Sequence, residues 1–190
     1  LFIAANNYRG NSKIRFAVIR YGNVMGSRGS VIPYFLKKKE EGEFPITDKK
    51  MTRFNITLEE SINFVLFCLK QMRGGEIFVP KIPSFKVIDL AKAISPKTKI
   101  KFVGIRPGEK FHEEMISQND AINTIEYKNH FVIASNSKFI NWNRKQYLKL
   151  DKSGKVCNNE FSYNSKNNKN FLDAAELKKL IHKNKKDFEF

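Results

Sequence analysis

Arg20-Tyr21-Gly22-Asn23-Val24-Met25-Gly26-Ser27-Arg28-Gly29-Ser30-Val31-Ile32-Pro33 joins the apolar run Ile14-Arg15-Phe16-Ala17-Val18-Ile19 to Tyr34-Phe35-Leu36. The run before it has the length and β-branching of a strand, and the segment after it can open a helix. Gly22, Gly26 and Gly29 at such a junction let the main chain approach a ligand closely, because no Cβ stands in the way. Asn23, Ser27 and Arg28 add an amide, a hydroxyl and a guanidinium, groups that orient a polar or phosphorylated molecule. By composition alone the stretch also reads as an ordinary strand-to-helix loop.

The segment Arg-Tyr-Gly-Asn-Val-x-Gly-Ser-Arg-Gly-Ser-Val resembles one found in the inverting UDP-N-acetylglucosamine 4,6-dehydratases of the extended short-chain dehydrogenase/reductase family. Further blocks follow in the family's order: Pro45-Ile46-Thr47-Asp48, Met51-Thr52-Arg53-Phe54, Ile56-Thr57-Leu58, Gly74 to Ser84, and Gly104-Ile105-Arg106-Pro107-Gly108-Glu109-Lys110. The resemblance runs from Leu1 to about His112. Beyond that it rests on Glu160 to Ser165 and the last helix. Asn55 departs from the pattern, standing where the family usually carries a tryptophan.

The resemblance implies an α/β fold: the C-terminal part of an extended reductase, with the end of a Rossmann nucleotide-binding domain and a smaller α/β substrate-binding domain. The expected division is residues 1–35 for the end of the Rossmann domain and 36–150 mainly for the substrate domain, some segments returning to the Rossmann core. Residues 151–190 are expected to form a polar loop and a final helix. In the family the opening helix follows a Tyr-x-x-x-Lys pair that serves hydride transfer and ribose binding, placed upstream of Leu1. No Gly-x-Gly-x-x-Gly fingerprint follows a strand here. The chain therefore reads as a fragment, inactive alone, with no catalytic residue to name.

Arg106-Pro107-Gly108-Glu109 is a second site candidate on its own chemistry. A guanidinium fork matches phosphate oxygens, and a neighbouring carboxylate accepts from ribose hydroxyls. A surface turn with an internal Arg–Glu pair is the alternative. By resemblance, Asn23, Val31, Thr47, Arg106 and Glu109 match substrate contacts, and Val24, Met25, Gly26, Ser27 and Arg28 match the loop lining the NADP nicotinamide. Arg53 is a further candidate diphosphate contact, or an ion-pair partner within the domain. The implied function is that of an NADP-dependent, C5-inverting lyase making a UDP-4-keto-6-deoxy-hexosamine for pseudaminic-acid-type surface sugars. That enzyme is cytoplasmic and, at full length, homo-oligomeric. The alternatives are a UDP-sugar epimerase or retaining dehydratase of the same family or, in a different class, a basic nucleic-acid-binding module.

The net charge of +16 raises that last reading, because clustered cations track phosphates. Lys outnumbers Arg 27 to 8, however, and the lysines run along the whole chain among many asparagines. A solvated surface shaped by an AT-rich genome is the preferred reading, with a UDP-sugar as partner and no nucleic acid. No stretch reaches the roughly 18 apolar residues of a membrane span. Cys68 and Cys157 lack metal-ligand spacing, and Cys68 reads as a buried thiol in a reducing compartment. His112, His130 and His182 read as structural or surface residues, so no metal is expected.

The remaining elements are expected as follows. Ile14–Arg20 reads as a strand and Val31–Glu41 as a helix with Pro33 in its first turn. Thr57 and Glu60 form a capping box for a helix carrying Leu58, Ile62, Val65, Leu66 and Leu69 at helical spacing, ended by Gly74-Gly75. Glu76–Val79 is a strand. Ser84 caps a helix with Val87, Leu90, Ala91 and Ile94 inward, stopped by Pro96. Lys99–Ile105 alternates like a half-buried strand, and His130–Ala134 is another strand. Asp151–Asn170 is a polar loop. Asp173 caps the last helix, with Leu177, Leu180 and Ile181 on one face.

Overall fold

The structure, a computed structural model, describes residues 1–135 and 142–188. The α/β class expected from the sequence is the one observed. The chain divides into two compact units. One gathers Leu1–Tyr21, Ile62–Lys81 and the described part of Met115–Tyr163; the other gathers Gly22–Ser61, Ile82–Glu114 and the chain from Asn164 on.

In the first unit a mixed sheet runs in the order Val18–Ile19, Ile77–Pro80, His130–Ile133, Thr124–Glu126, Lys155–Val156. Only the first pair is parallel, with Val18 opposite Ile77; the others are antiparallel, with Val132 opposite Phe78 and Ile125. Phe78, Ile125, Val132, Tyr127 and Tyr147 build the core, with Cys68 from the helix Leu58–Gln71. The short helix Arg144–Leu150 is begun by Asn143, whose side chain accepts from the Lys145 and Gln146 amides, and it supplies Tyr147 to that core.

The expected strand Ile14–Arg20 shrinks to two paired residues. Upstream of Val18 a side chain shares in the pairing: Phe16 N–H donates to Asn6 Oδ1 at 3.0 Å, while the Phe16 carbonyl accepts from the Asn6 amide and from Gly75 N–H, both at 2.8 Å. Asn6 is buried, and its two bonds satisfy the main chain as a neighbouring strand would.

The second unit packs the helices Val31–Glu40, Val87–Ile94 and Ala174–Lys183 around the strand Glu43–Ile46. Phe35 stacks on Phe44 at 5.0 Å between centroids, and Leu90 and Leu177 are fully enclosed. A four-stranded sheet runs Phe171–Leu172, Ser84–Lys86, Thr52–Ile56, Asn23–Val24. Gly22 lies so close to Phe54 that a Cβ there would stand 2.3 Å from the Phe54 Cβ, so only glycine fits this approach.

The capping box expected at Thr57 forms, as does the cap expected at Asp173. Glu60 N–H donates to Thr57 Oγ1 at 3.2 Å, and Asp173 accepts from Glu176 N–H at 2.8 Å. Two details differ. Ser84 caps no helix: it lies within the strand Ser84–Lys86, its N–H donating to the Asn170 carbonyl at 2.8 Å, and Lys86 precedes the helix Val87–Ile94 without a side-chain cap. Lys99–Phe102 pairs in parallel with Glu43–Ile46, but Phe102, Val103 and Ile105 are exposed instead of alternating with buried neighbours.

Candidate functional site

Within the second unit, Thr47 follows the strand Glu43–Ile46, and its hydroxyl lies 3.1 and 3.2 Å from the two carboxylate oxygens of Glu109. Glu109 closes the turn that begins at Arg106. Its N–H donates to the Arg106 carbonyl at 3.0 Å, and its carboxylate accepts from Arg106 N–H at 3.3 Å. Gly108 takes φ 81°, the left-handed conformation this reversal needs. The turn thus holds the Glu109 carboxylate against Thr47. The Arg106 guanidinium is left exposed, without a hydrogen bond or ion pair among the described residues.

Arg53 occupies the other side of Glu109. Its guanidinium lies 4.0 Å from Glu109 and 3.7 Å from Glu113. It also donates to the carbonyls of Thr52 at 2.7 Å and Phe111 at 3.2 Å. Of its two sequence readings, the geometry displays the ion-pair partner.

Glu113 continues the chain of contacts. Its Oε2 accepts from Phe54 N–H at 3.2 Å. In the orientation its surroundings require, the Asn23 amide donates to both Glu113 oxygens at 3.0 and 3.2 Å. Burial pushes the Glu113 carboxyl up from the ordinary glutamate range, while the Phe54 N–H and Arg53 pull it back. Glu113 itself is anchored through Ser165: Glu113 N–H donates to Ser165 Oγ at 2.9 Å, and Ser165 N–H donates to the Glu113 carbonyl at 2.7 Å. Ser165 Oγ lies 2.7 Å from Thr52 Oγ1, which lies 2.8 Å from His112 Nδ1. Desolvation, helped by Lys166 and Arg53, lowers the His112 pKa.

Asn23, Thr47, Arg106 and Glu109, separated by up to 86 positions in sequence (109 minus 23), therefore belong to one connected cluster. Val31 stands apart from that chain of contacts. It is the first residue of its helix and packs half-buried against the core.

The loop at residues 24–28 divides its side chains. Met25 is buried in the core, so this part of the loop offers a ligand its main chain and the exposed side chains of Ser27 and Arg28. Gly26 and Gly29 both take φ 77°, and the Ser30 hydroxyl is buried without a hydrogen-bond partner among the described residues. Met25 N–H already donates to the Ile56 carbonyl and Ser27 N–H to the Val24 carbonyl, so the Ser30 hydroxyl is the buried polar group here that a polar planar group such as a nicotinamide amide would satisfy. Among the described residues no group of His, Cys, Asp and Glu could hold a metal ion.

A profile of the polysaccharide biosynthesis protein family matches residues 1–135. The chain belongs to that family. Among its relatives, a UDP-N-acetylglucosamine 4,6-dehydratase (inverting) from Campylobacter jejuni is 48% identical over 185 residues, covering 96% of this chain and 55% of the relative. A UDP-glucose 4-epimerase from Rickettsia canadensis is 35% identical over 186 residues, covering 95% of this chain and 53% of the relative. The solved structure of Pen from Bacillus thuringiensis is 30% identical and superposes with a TM-score of 0.81 over 97% of this chain and 55% of that one. The chain spans about half the length of these proteins.

One tyrosine–lysine pair at the Tyr-x-x-x-Lys spacing does occur, Tyr34 and Lys38. Lys38 is engaged by Glu41 at 2.5 Å on the surface of the helix Val31–Glu40. Sequence reasoning missed Glu113, Thr52 and Ser165 and read His112 only as structural or surface. Phe111-His112-Glu113-Glu114 carries no spacing that marks chemistry; only the closeness of Asn23 and Arg53 in space gives Glu113 its place. No helix among the described residues is long and apolar enough to cross a membrane.

Proposed function

We propose that this chain carries the substrate-holding part of a C5-inverting UDP-N-acetylglucosamine 4,6-dehydratase, a lyase that works with bound NADP and supplies a UDP-4-keto-6-deoxy-hexosamine to pseudaminic-acid-type sugar synthesis. The observation that carries the reading is the 48% identity to the Campylobacter jejuni enzyme across 96% of the chain. The cluster supports it. Arg106 presents a free guanidinium to a diphosphate, and the Glu109 carboxylate next to it accepts from ribose hydroxyls. Asn23 and Thr47 supply amide and hydroxyl groups for the sugar side.

A nicotinamide cofactor held at residues 24–28 would supply a hydride acceptor for C4 of the sugar and a hydride donor for C6, with no net change in its oxidation state over a turnover. Between those transfers the 4-keto group acidifies the C5 proton, a base removes it, and water leaves from C6. The residues at 24–28 would hold the cofactor's nicotinamide end through their main chain, and Asn23, directly before them, would set the sugar against it. In this reading residues 1–35 end the nucleotide-binding domain, residues 36–150 belong mainly to the substrate-binding domain with some segments returning to the Rossmann core, and the enzyme works in the cytoplasm as a homo-oligomer.

The 35% identity to a UDP-glucose 4-epimerase supports a second reading, in which the hydride returns to C4 and no water is lost. A chimera completed with the remaining part of the Campylobacter jejuni relative separates the two. Mass spectrometry should show one water lost per UDP-N-acetylglucosamine consumed, with solvent deuterium incorporated at C5. An isomeric product of unchanged mass would replace the dehydratase reading by the epimerase one.

A further inference from the structure

We propose that Glu113 is the positioning residue of the UDP-sugar site, a carboxylate that holds Asn23 in the orientation from which it serves substrate and ties it through Arg53 to Glu109. The proposal rests on the UDP-sugar reading above and adds to it a residue that reading does not use. Three groups from two adjacent strands meet at this carboxylate. Asn23 donates to both of its oxygens at 3.0 and 3.2 Å from the strand Asn23–Val24. Phe54 N–H donates at 3.2 Å from the adjacent strand Thr52–Ile56. The Arg53 guanidinium lies 3.7 Å away and carries the connection on to Glu109 at 4.0 Å, and so to Thr47.

A residue that orients others must itself be held. The Glu113 backbone is bonded in both directions to Ser165, which is fully buried, and Ser165 is tied in turn to Thr52. Glu113 therefore has little freedom to follow a ligand, and the two side chains it grips inherit that rigidity. An amide held by two acceptors keeps its carbonyl oxygen turned away from them. Asn23 is thereby fixed with its acceptor outward, available to a sugar hydroxyl or acetamido N–H. Pre-set side chains bind without the rotamer cost that free ones would incur. The charged and titratable groups around Glu113 are Arg53, Glu109 on the far side of Arg53, and His112 one position before it.

The test uses the 190-residue chain labelled with nitrogen-15. The side-chain amide of Asn23 and the Nε–H of Arg53 are followed together with binding of UDP-N-acetylglucosamine. Glu113→Ala should shift both resonances and weaken binding on the order of tenfold. Glu113→Gln keeps an oxygen acceptor for Phe54 N–H and Asn23 but drops the charge. It should restore the Asn23 resonance, leave that of Arg53 displaced, and recover part of the affinity. A purely structural Glu113 would lower the melting temperature without this split. If Glu113→Ala does not fold, an Arg53 resonance unmoved in Glu113→Gln overturns the proposal by itself. Unmoved resonances in a folded Glu113→Ala with normal ligand binding overturn the Glu113 role and leave the UDP-sugar reading standing. Coupled resonances in a wild-type chain that ignores millimolar UDP-sugar overturn the substrate reading, and with it the claim that Glu113 positions for substrate.

Discussion

At the scale of single residues, Arg106 and His130 show how environment assigns a role to a side chain. Arg106 is exposed and unpaired among the described residues, so removing it should cost the fold little. A charge-assisted, bidentate contact contributes on the order of 1.5–3 kcal/mol, so Arg106→Ala should weaken UDP-sugar binding roughly 10- to 150-fold. Arg106→Lys should recover only part, because an ammonium cannot reproduce the planar fork. Calorimetric titration alongside a melting curve checks this, and a large drop in melting temperature would make Arg106 a structural residue instead. His130 is the reverse case. Its ring stacks on Tyr127 at 4.9 Å and meets the edge of Phe67 at 5.0 Å, and burial lowers its pKa from 6.5 to about 4. The folded state therefore prefers the neutral ring, and the unfolded chain binds more protons between those values. Stability should fall as pH drops from about 6.5 to 4 and show no further loss from this group below that. With allowance for the exposed part of the ring, the loss is about 2 kcal/mol. His130→Phe should flatten that part of the profile relative to wild type, measured as melting temperature against pH; parallel profiles would show that the titrating group lies elsewhere.

At the scale of elements, the helices Leu58–Gln71 and Val87–Ile94 carry similar apolar content to opposite ends. In Val87–Ile94 the expected inner positions Val87, Leu90 and Ala91 are buried, with Ile94 half-buried. In Leu58–Gln71 it is Ser61 and Cys68 that are buried, with Phe64 and Val65 half-buried, while Leu58, Ile62, Leu66 and Leu69 face outward. Periodicity shows that a helix has an apolar stripe but not which stripe finds a partner. Leu90→Ala, at a fully enclosed site, should destabilise by about 2–5 kcal/mol. Leu66→Ser, on a side chain that is 51% exposed, should change stability by less than about 0.5 kcal/mol. Urea unfolding of both variants gives the comparison, and a Leu66→Ser cost equal to that of Leu90→Ala would mean that this face is covered in solution.

At the scale of the whole molecule, the net charge of +16 makes a separate prediction. The chain should adsorb to heparin or DNA at low salt without sequence preference and release steeply as ionic strength rises, because counterion release drives such binding. UDP-sugar binding to the built cluster should survive the salt that removes the polyanion, since close, partly buried pairs are screened less. Binding assays from about 50 to 300 mM salt decide between them. Retention of one particular nucleic acid sequence at the upper end would favour the nucleic-acid reading over the sugar-nucleotide one.

Much of this was legible in the sequence because its causes are local. A capping box needs only Thr57 and Glu60, or Asp173 and Glu176, three positions apart, and those boxes form. The ordered motif blocks implied the α/β class and pointed to the family later matched over residues 1–135. Other features depended on neighbours far along the chain. At Phe16 the N–H turns to the side chain of Asn6, ten residues earlier, instead of to a neighbouring main chain. Ser84 joins a sheet instead of capping a helix because Asn170 supplies its acceptor. Glu113 acquires its place only where folding brings Asn23, Arg53 and Phe54 to one carboxylate. Local propensity acts over three or four residues and is written in the order of the chain. Burial and convergent hydrogen bonding join residues up to 113 positions apart, as between Thr52 and Ser165, and that is settled only when the chain has closed on itself.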